Sequence, residues 1–278
     1  MIRAALADAA TRLAGVSVTP RLDAELLLAH LLDTDRARLI VLAEESLAPN
    51  ITAAFAALIA RRGTGEPVAY LLGRRDFWTL TLEVGPAVLV PRPDSELLVE
   101  IALQAAADRT APRLLDLGTG SGAIGLALAA ERPDASVDLV DSSAAALEVA
   151  ESNRLRLGLN NAQTLLGDWF GPVAGNRYDV IVANPPYLAA DDPHLATPEL
   201  RHEPGDALVS GASGLEALAA IAAAAPEHLL AGGVLALEHG SSQGEAVRER
   251  LRAAGFRAVR TRRDLAGLER ATQGTCGD

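Results

Sequence analysis

Between residues 113 and 238 five short, largely apolar runs alternate with helical segments, and that order leaves the chain few folds to choose from. The runs fall near residues 113–117, 136–140, 163–166, 178–183 and 234–238. Strands that alternate with helices predict a mostly parallel, doubly wound α/β sheet, because each crossover must return the chain to the same sheet edge. The last part of the chain, from Glu245 through Arg260 and onward, reads as one more helix followed by an antiparallel strand pair at an edge. With 278 residues there is room for this domain and a smaller one.

The smaller one comes first. From Met1 to about Gly63 the pattern is helical: Thr19 precedes Pro20 at a helix start, Leu22, Leu26, Ala29 and Leu32 follow at helical spacing, and a segment over residues 51–62 ends at Gly63. We expect a helical domain over residues 1–73, a β-hairpin linker over 74–93 that turns about Gly85-Pro86 and is stopped by Pro91-Arg92-Pro93, and the sheet domain over 94–278. Residues 1–14 carry Arg3, Asp8 and Arg12 and lack the apolar core of a signal peptide, so they are expected to stay in the mature protein. The alanine-rich stretch over residues 215–237 is interrupted by Glu216, Pro226, Glu227 and His228, which argues against a membrane span. One cysteine, Cys276, precludes an internal disulfide framework or a cysteine-rich metal site and suits a reducing cytoplasm. A net charge of −11 argues against broad attachment to nucleic-acid phosphates. Seven arginines cluster between Arg248 and Arg263, but the interspersed acids make that a solvated helix face.

Directly after the first strand stands Leu114-Leu115-Asp116-Leu117-Gly118-Thr119-Gly120-Ser121-Gly122, with a helix starting at about Ala123. Glycines at Gly118, Gly120 and Gly122 let a ligand approach backbone with no Cβ in the way, and Thr119 and Ser121 fall in the same loop. Asp141 closes the second strand, where an acid binds ribose hydroxyls. Gly120 through Gly125 also satisfies the dinucleotide fingerprint, so the loop alone admits a nicotinamide cofactor. Three features favour S-adenosyl-L-methionine. Asp116 offers a carboxylate to the cationic amino-acid end of that donor. Gly167-Asp168-Trp169-Phe170 ends the third strand with an acceptor and an aromatic for adenine, although Trp169 and Phe170 also suit simple core. The fourth strand ends in nothing fitted to hydride transfer.

What it ends in is Asn184-Pro185-Pro186-Tyr187. Two prolines remove two backbone donors and fix two φ angles, so the chain leaves the sheet rigidly with free carbonyls. The Asn184 side-chain oxygen and a proline carbonyl are placed to accept from a planar NH2 group, and the Tyr187 ring to cover its face.

In these residues the chain resembles the HemK/PrmC-type protein-(glutamine-N5) methyltransferases that modify peptide-chain release factors. The likeness runs nearly end to end: Arg21-Leu22-Asp23-Ala24-Glu25-Leu26-Leu27, Glu66-Pro67-Val68-Ala69-Tyr70-Leu71-Leu72-Gly73, Leu89-Val90-Pro91-Arg92-Pro93-Asp94-Ser95-Glu96, the glycine loop, residues 167–170, the 184–187 clamp, Glu203-Pro204 and Asp264-Leu265-Ala266-Gly267. Ser95 stands where the family often has Thr, and Leu188 where Ile is common. The resemblance implies a Rossmann-like class I methyltransferase sheet, a helical N-terminal domain that helps dock the release factor, and methylation of the glutamine in its Gly-Gly-Gln motif. It assigns Gly118 to Gly122, Asp141, Trp169 and Asn184 to the methyl donor, residues 184–187 to the substrate glutamine, and a pocket-shaping loop to Glu203-Pro204.

Two rivals remain at this point. The clamp is shared with adenine-N6 methyltransferases, which hold a flipped base by the same exocyclic amine. The other rival is a protein that binds the methyl donor or a ribosomal partner without turnover. Acidity weighs against the first, the intact clamp against the second. The expected protein is a soluble, cytoplasmic, monomeric enzyme of translation termination that binds neither nucleic acid nor membrane.

Overall fold

The computed structural model describes residues 1–277, which divide into two compact units. The first comprises residues 1–74 together with 193–203. Its helices are α1 (Ile2–Leu13), α2 (Pro20–Leu31), α3 (Arg36–Val41), α4 (Pro49–Gly63) and α5 (Val68–Leu72). Both α2 and α4 start on proline, whose fixed φ and missing N–H suit a first turn. Gly73, at φ 68°, ends α5 in the left-handed region. The apolar stripes of α1, α2 and α4 meet in one core around Leu6, Leu13, Leu27, Leu28, Phe55 and Ile59.

Residues 193–203 join this unit although the sequence places them within the sheet domain. Arg62, 1% exposed, explains the attachment: its guanidinium bonds Asp23 at 2.7 Å and Glu199 at 2.6 Å. Nearby, Gly65 lies so close to Pro198 that a Cβ there would sit 2.6 Å from the Pro198 carbonyl, and His202 Nε2 meets the Thr64 carbonyl at 3.1 Å.

The second unit, residues 75–192 and 204–278, is built on a seven-stranded sheet. Before it comes a hairpin of β1 (Arg74–Phe77) and β2 (Leu80–Glu83). Its turn falls at Trp78-Thr79, not at Gly85-Pro86, and residues 88–90 form no strand. Trp78 takes φ 56° there, held by its own N–H to Glu96 Oε1 and its indole N–H to Glu131, contacts between distant positions that local spacing does not reveal.

The large sheet contains β3 (Arg113–Leu117), β4 (Ser136–Asp141), β5 (Ala162–Leu166), β6 (Tyr178–Ala183), β7 (Leu229–Glu238), β8 (Arg257–Arg263) and β9 (Glu269–Thr275), in the order β5-β4-β3-β6-β7-β9-β8. The first five run parallel; β9 pairs antiparallel with both β7 and β8. Strand period 2 sends alternate residues to opposite faces. Leu114, Leu139, Val180 and Val182 pack under α6 (Glu96–Ala105) and α7 (Ala123–Glu131). Leu115, Leu117, Ile181, Ala183 and Leu235 pack under α9 (Glu216–Ala224) and α10 (Gly244–Ala253). The remaining helix, α8 (Ala144–Leu157), joins β4 to β5. The chain adds β4 and β5 on one side of β3, then returns to place β6 on the other. That reversal opens a crevice at the carboxyl ends of β3 and β6, where ligands of such sheets bind.

Candidate active site

Register assembles the site at that edge. In β3 and β4, Leu117 lies beside Val140; in β3 and β6, Leu117 lies beside Ala183; in β6 and β7, Ala183 lies beside Leu237. One residue further along each strand, Gly118, Asp141, Asn184 and Glu238 stand level in one row across four strands.

The glycine loop leaves β3 through three left-handed residues, Gly118 (φ 70°), Gly120 (57°) and Gly122 (84°), a region costly for any side chain. At Gly122 a Cβ would also sit 2.7 Å from a Leu126 methyl. Asp116 braces the loop from beneath: its Oδ2 accepts from Thr119 Oγ1 at 2.6 Å and from the Gly125 amide at 2.9 Å. Gly125 permits that approach, since a Cβ there would lie 3.0 Å from the same oxygen. Burial pushes the Asp116 carboxyl up to about 6 against the two hydrogen bonds, with the Asp141 charge adding to the rise. Among the described residues its Oδ1 has no partner.

Asp141 faces a cavity of about 400 Å³. Its Oδ2 accepts from the Gly120 amide at 2.8 Å and its Oδ1 from Ser143 N at 2.9 Å, which fixes the carboxylate and leaves lone pairs for hydroxyls. Ser143 caps α8 by accepting from Ala146 N. Across the cavity stand Asp168, exposed, and Trp169, held at φ 40° with its ring 3.7 Å from where a Gly118 Cβ would be. Phe170 lies in the core, stacked on His228.

The clamp follows β6. Asn184 Nδ2 donates to Ser95 Oγ at 3.0 Å, which turns Oδ1 away from Ser95 and leaves it as an acceptor. Among the described residues no donor reaches the Pro185 or Pro186 carbonyl. The Tyr187 carbonyl is taken by Gln243 Nε2 at 2.9 Å. Tyr187 Oη lies 3.5 Å from Glu238 Oε1, and burial, then the Glu238 charge, raises the phenol above its ordinary range.

Gly118, Thr119, Gly120, Ser121, Asp141, Asp168, Trp169, Asn184 and Pro186 thus line one cavity, and Pro204 joins them from the next loop. Four expected site residues do not. Asp116 is 1% exposed and supports the loop in place of facing a ligand, because strand alternation turns it under α7. Gly122 is the turn residue that starts α7. Pro185 is buried, and Tyr187 packs half-buried against the apolar cluster on the α9 and α10 face, so its ring is not part of the wall. Conversely, Ser95 and Arg92 line the cavity without having been singled out by their chemistry. Glu238 was also missed, although an acid that ends an otherwise apolar strand, 1% exposed, is a signal legible in the sequence.

A parallel sheet with an antiparallel edge pair, a glycine loop after its first strand and an acid after its second define an S-adenosylmethionine-dependent methyltransferase, and the residues fit that donor: a wall free of Cβ atoms at Gly118 and Gly120, a fixed Asp141 carboxylate, and room for a nucleoside with an amino-acid tail. The comparisons agree. Residues 4–73 match the family model "PrmC N-terminal domain" and residues 93–214 the model "Methyltransferase small domain". A release factor glutamine methyltransferase of Xylella fastidiosa is 52% identical over 92% of this chain and 93% of its own length, one of Bordetella pertussis is 52% identical over 92% and 94%, and one of Pseudomonas aeruginosa is 51% identical over 93% of each. The chain belongs to the release factor glutamine methyltransferase family. Solved structures share the fold: a Pyrococcus furiosus methyltransferase (TM-score 0.55, 20% identity, 80% of this chain and 98% of that one) and a T. Thermophilus 16S rRNA methyltransferase in complex with AdoMet and guanosine (0.54, 23%, 73% and 49%).

Proposed function

We propose that this enzyme transfers the methyl group of S-adenosyl-L-methionine to the side-chain amide nitrogen (N5) of the glutamine in the Gly-Gly-Gln motif of peptide-chain release factors. The observation that carries the reading is the orientation of Asn184. With Nδ2 spent on Ser95, its Oδ1 is left as an acceptor, and no donor among the described residues reaches the carbonyl of Pro186, which lines the same cavity, so two oxygens are available for the two protons of one NH2 group. The bound donor supplies an electrophilic methyl on a sulfonium. An amide nitrogen is a weak nucleophile because its lone pair is delocalised into the carbonyl, and the clamp answers this in two ways. It fixes the direction of the nitrogen, and its oxygens favour the positive charge that grows there. The methylated nitrogen is strongly acidic and loses its proton to water, so we assign no general base.

The helical unit over residues 1–73 is read as the docking domain for the protein substrate. We assign the enzyme to the cytoplasm as a monomer that binds neither nucleic acid nor membrane; no helix among the described residues is long and apolar enough to cross a bilayer, and the net charge of −11 disfavours a nucleic-acid substrate. The test is labelled methyl transfer to a wild-type release factor, to one with the motif glutamine replaced, and to DNA. Transfer only to the first is expected. Asn184→Ala should lower kcat on the order of 100-fold while donor affinity is largely kept; transfer indifferent to the glutamine replacement refutes the substrate.

A further inference from the structure

The reaction above gives no part to Asp264-Leu265-Ala266-Gly267, in the turn between β8 and β9. Register fixes where that turn stands. Glu238, in the row of site residues, pairs with Ala271 on β9, and Ala271 pairs with Arg262 on β8. Because β9 runs antiparallel to both neighbours, its start and the end of β8 carry on past that row, on the side of the sheet where the cavity lies. Asp264 comes two residues after Arg262, about 7 Å beyond the row at the rise of a strand. In the sheet order β9 is two strands from β6, about 10 Å to the side of Asn184. The two offsets put the turn roughly 12 Å from the clamp. Arg270 ties it to the cavity wall: the guanidinium meets Asp264 Oδ2 at 3.1 Å and Asp94 Oδ2 at 3.2 Å, and Asp94 falls in sequence between the lining residues Arg92 and Ser95.

The turn is built to hold one side chain out. Asp264 does most of the holding: its amide donates to the Leu268 carbonyl, its carbonyl accepts from the Gly267 amide and its Oδ1 from the Leu268 amide, each at 2.9 Å. Arg263 reaches the Gly267 carbonyl at 2.7 Å, and Gly267 takes φ 80°, which suits glycine. Within this frame Leu265 is 110% exposed, and Leu268, three residues on, is 47% exposed. Folding gains nothing from a leucine that buries no surface, and turns favour polar residues. An ordered backbone does help binding, since an apolar contact made there costs little further entropy. Resting on the function given above, we propose that Leu265, supported by Leu268, is a docking point for the release factor, seating on apolar surface of the protein that brings its glutamine to the clamp. Size argues for that occupant. A protein-to-protein contact of ordinary extent covers about 800 Å² of each partner, a patch of roughly 16 Å radius, so one centred on the clamp takes in a point about 12 Å away. A substrate small enough to fit within the cavity would not reach the turn.

The test is the rate of labelled methyl transfer against release-factor concentration, with donor affinity by calorimetry and sedimentation of each protein. Leu265→Asp should lower kcat/KM about ten-fold or more, the loss falling on KM, with donor Kd within about two-fold. Leu265→Ser, which adds no charge, should lose in the same way, and Leu265→Met should recover most of the loss. Leu268→Asp should act in the same direction by less. A kcat/KM within about two-fold of wild type in Leu265→Ser overturns the inference, as does a loss confined to kcat. A wild type that sediments as a dimer, with Leu265→Asp a monomer, would give the turn to a second copy of the chain and overturn it too. Wild type that fails to methylate the glutamine would overturn the proposed function with it, whereas active wild type and indifferent variants would overturn this inference alone.

Discussion

Replacing Arg62 with leucine should unfold the helical unit more readily than any other single ion-pair change in it. Arg62 and Asp23 are 1% and 5% exposed and bonded at 2.7 Å, so the substitution leaves a buried carboxylate whose remaining side-chain partner is Thr19 Oγ1 at 3.1 Å. Removing one partner of a buried pair costs about 3–5 kcal/mol, because the other charge stays desolvated. Glu199 bonds the same guanidinium at 2.6 Å, but its side chain is 43% exposed. Water compensates it, and Glu199→Gln should cost about 1 kcal/mol or less. The double variant Asp23→Leu/Arg62→Leu should regain most of the single loss, since an apolar pair in place of a buried ion pair is often near neutral. Urea unfolding followed by far-UV circular dichroism reads the helices. Tryptophan fluorescence reads the sheet unit separately, since Trp78 and Trp169, the chain's two tryptophans, both lie there. Equal losses for Arg62→Leu and Glu199→Gln, or a double variant no more stable than Arg62→Leu, would refute the reasoning.

Three further outcomes follow from the sheet unit. Burial raises Asp116 to about 6 and Glu238 to about 7, so the native state keeps protons that the unfolded chain has lost; the stability they contribute is full below about pH 4 and fades as pH rises to about 7, on the order of 3 kcal/mol each. Asp116→Asn should flatten that fall in fluorescence-monitored unfolding, and an unchanged slope would count against the assignment. Gly118→Ala, at φ 70° and beneath the Trp169 ring, should cost about 1–2 kcal/mol and weaken donor binding measured by calorimetry; an unaltered donor Kd would remove Gly118 from the donor site. Tyr178→Phe takes a 2.6 Å hydrogen bond from buried Asp138, which retains Gln163 Nε2 at 2.8 Å, and should cost about 1–3 kcal/mol in the same unfolding assay.

The sheet was legible because parallel strands buried on both faces announce themselves as apolar runs, and the glycine loop because left-handed turns demand glycine. The hairpin was half legible. Alternation marked its strands, but its turn was assigned to Gly85-Pro86 by local turn chemistry, whereas tertiary hydrogen bonds from Glu96 and Glu131 hold Trp78 in the turn. Residues 193–203 were read as sheet-domain loop for the same reason: what attaches them to the helical unit is Arg62, 137 positions from Glu199, and an ion pair leaves no periodic trace. Ser95 was noticed only as a departure from a family pattern, since a serine beside two prolines carries no chemistry until Asn184 is brought to it.

Three acids near strand ends show what decides a role that residue type leaves open. Asp116 pairs in register with Leu139, two rows short of Asp141 and Asn184. At that depth its carboxylate can reach only the loop that folds over it, so it becomes a brace with a raised pKa. Asp141 stands level with Gly118, where the sheet has ended and the cavity begins, and the same functional group keeps open lone pairs for a ligand. Glu238 occupies that row too, but β9 continues alongside it, with Ala271 as its partner, and covers what would otherwise be an open edge. It is therefore at the level of the chemistry without access to it, and the group its carboxylate meets there is the Tyr187 hydroxyl, at 3.5 Å.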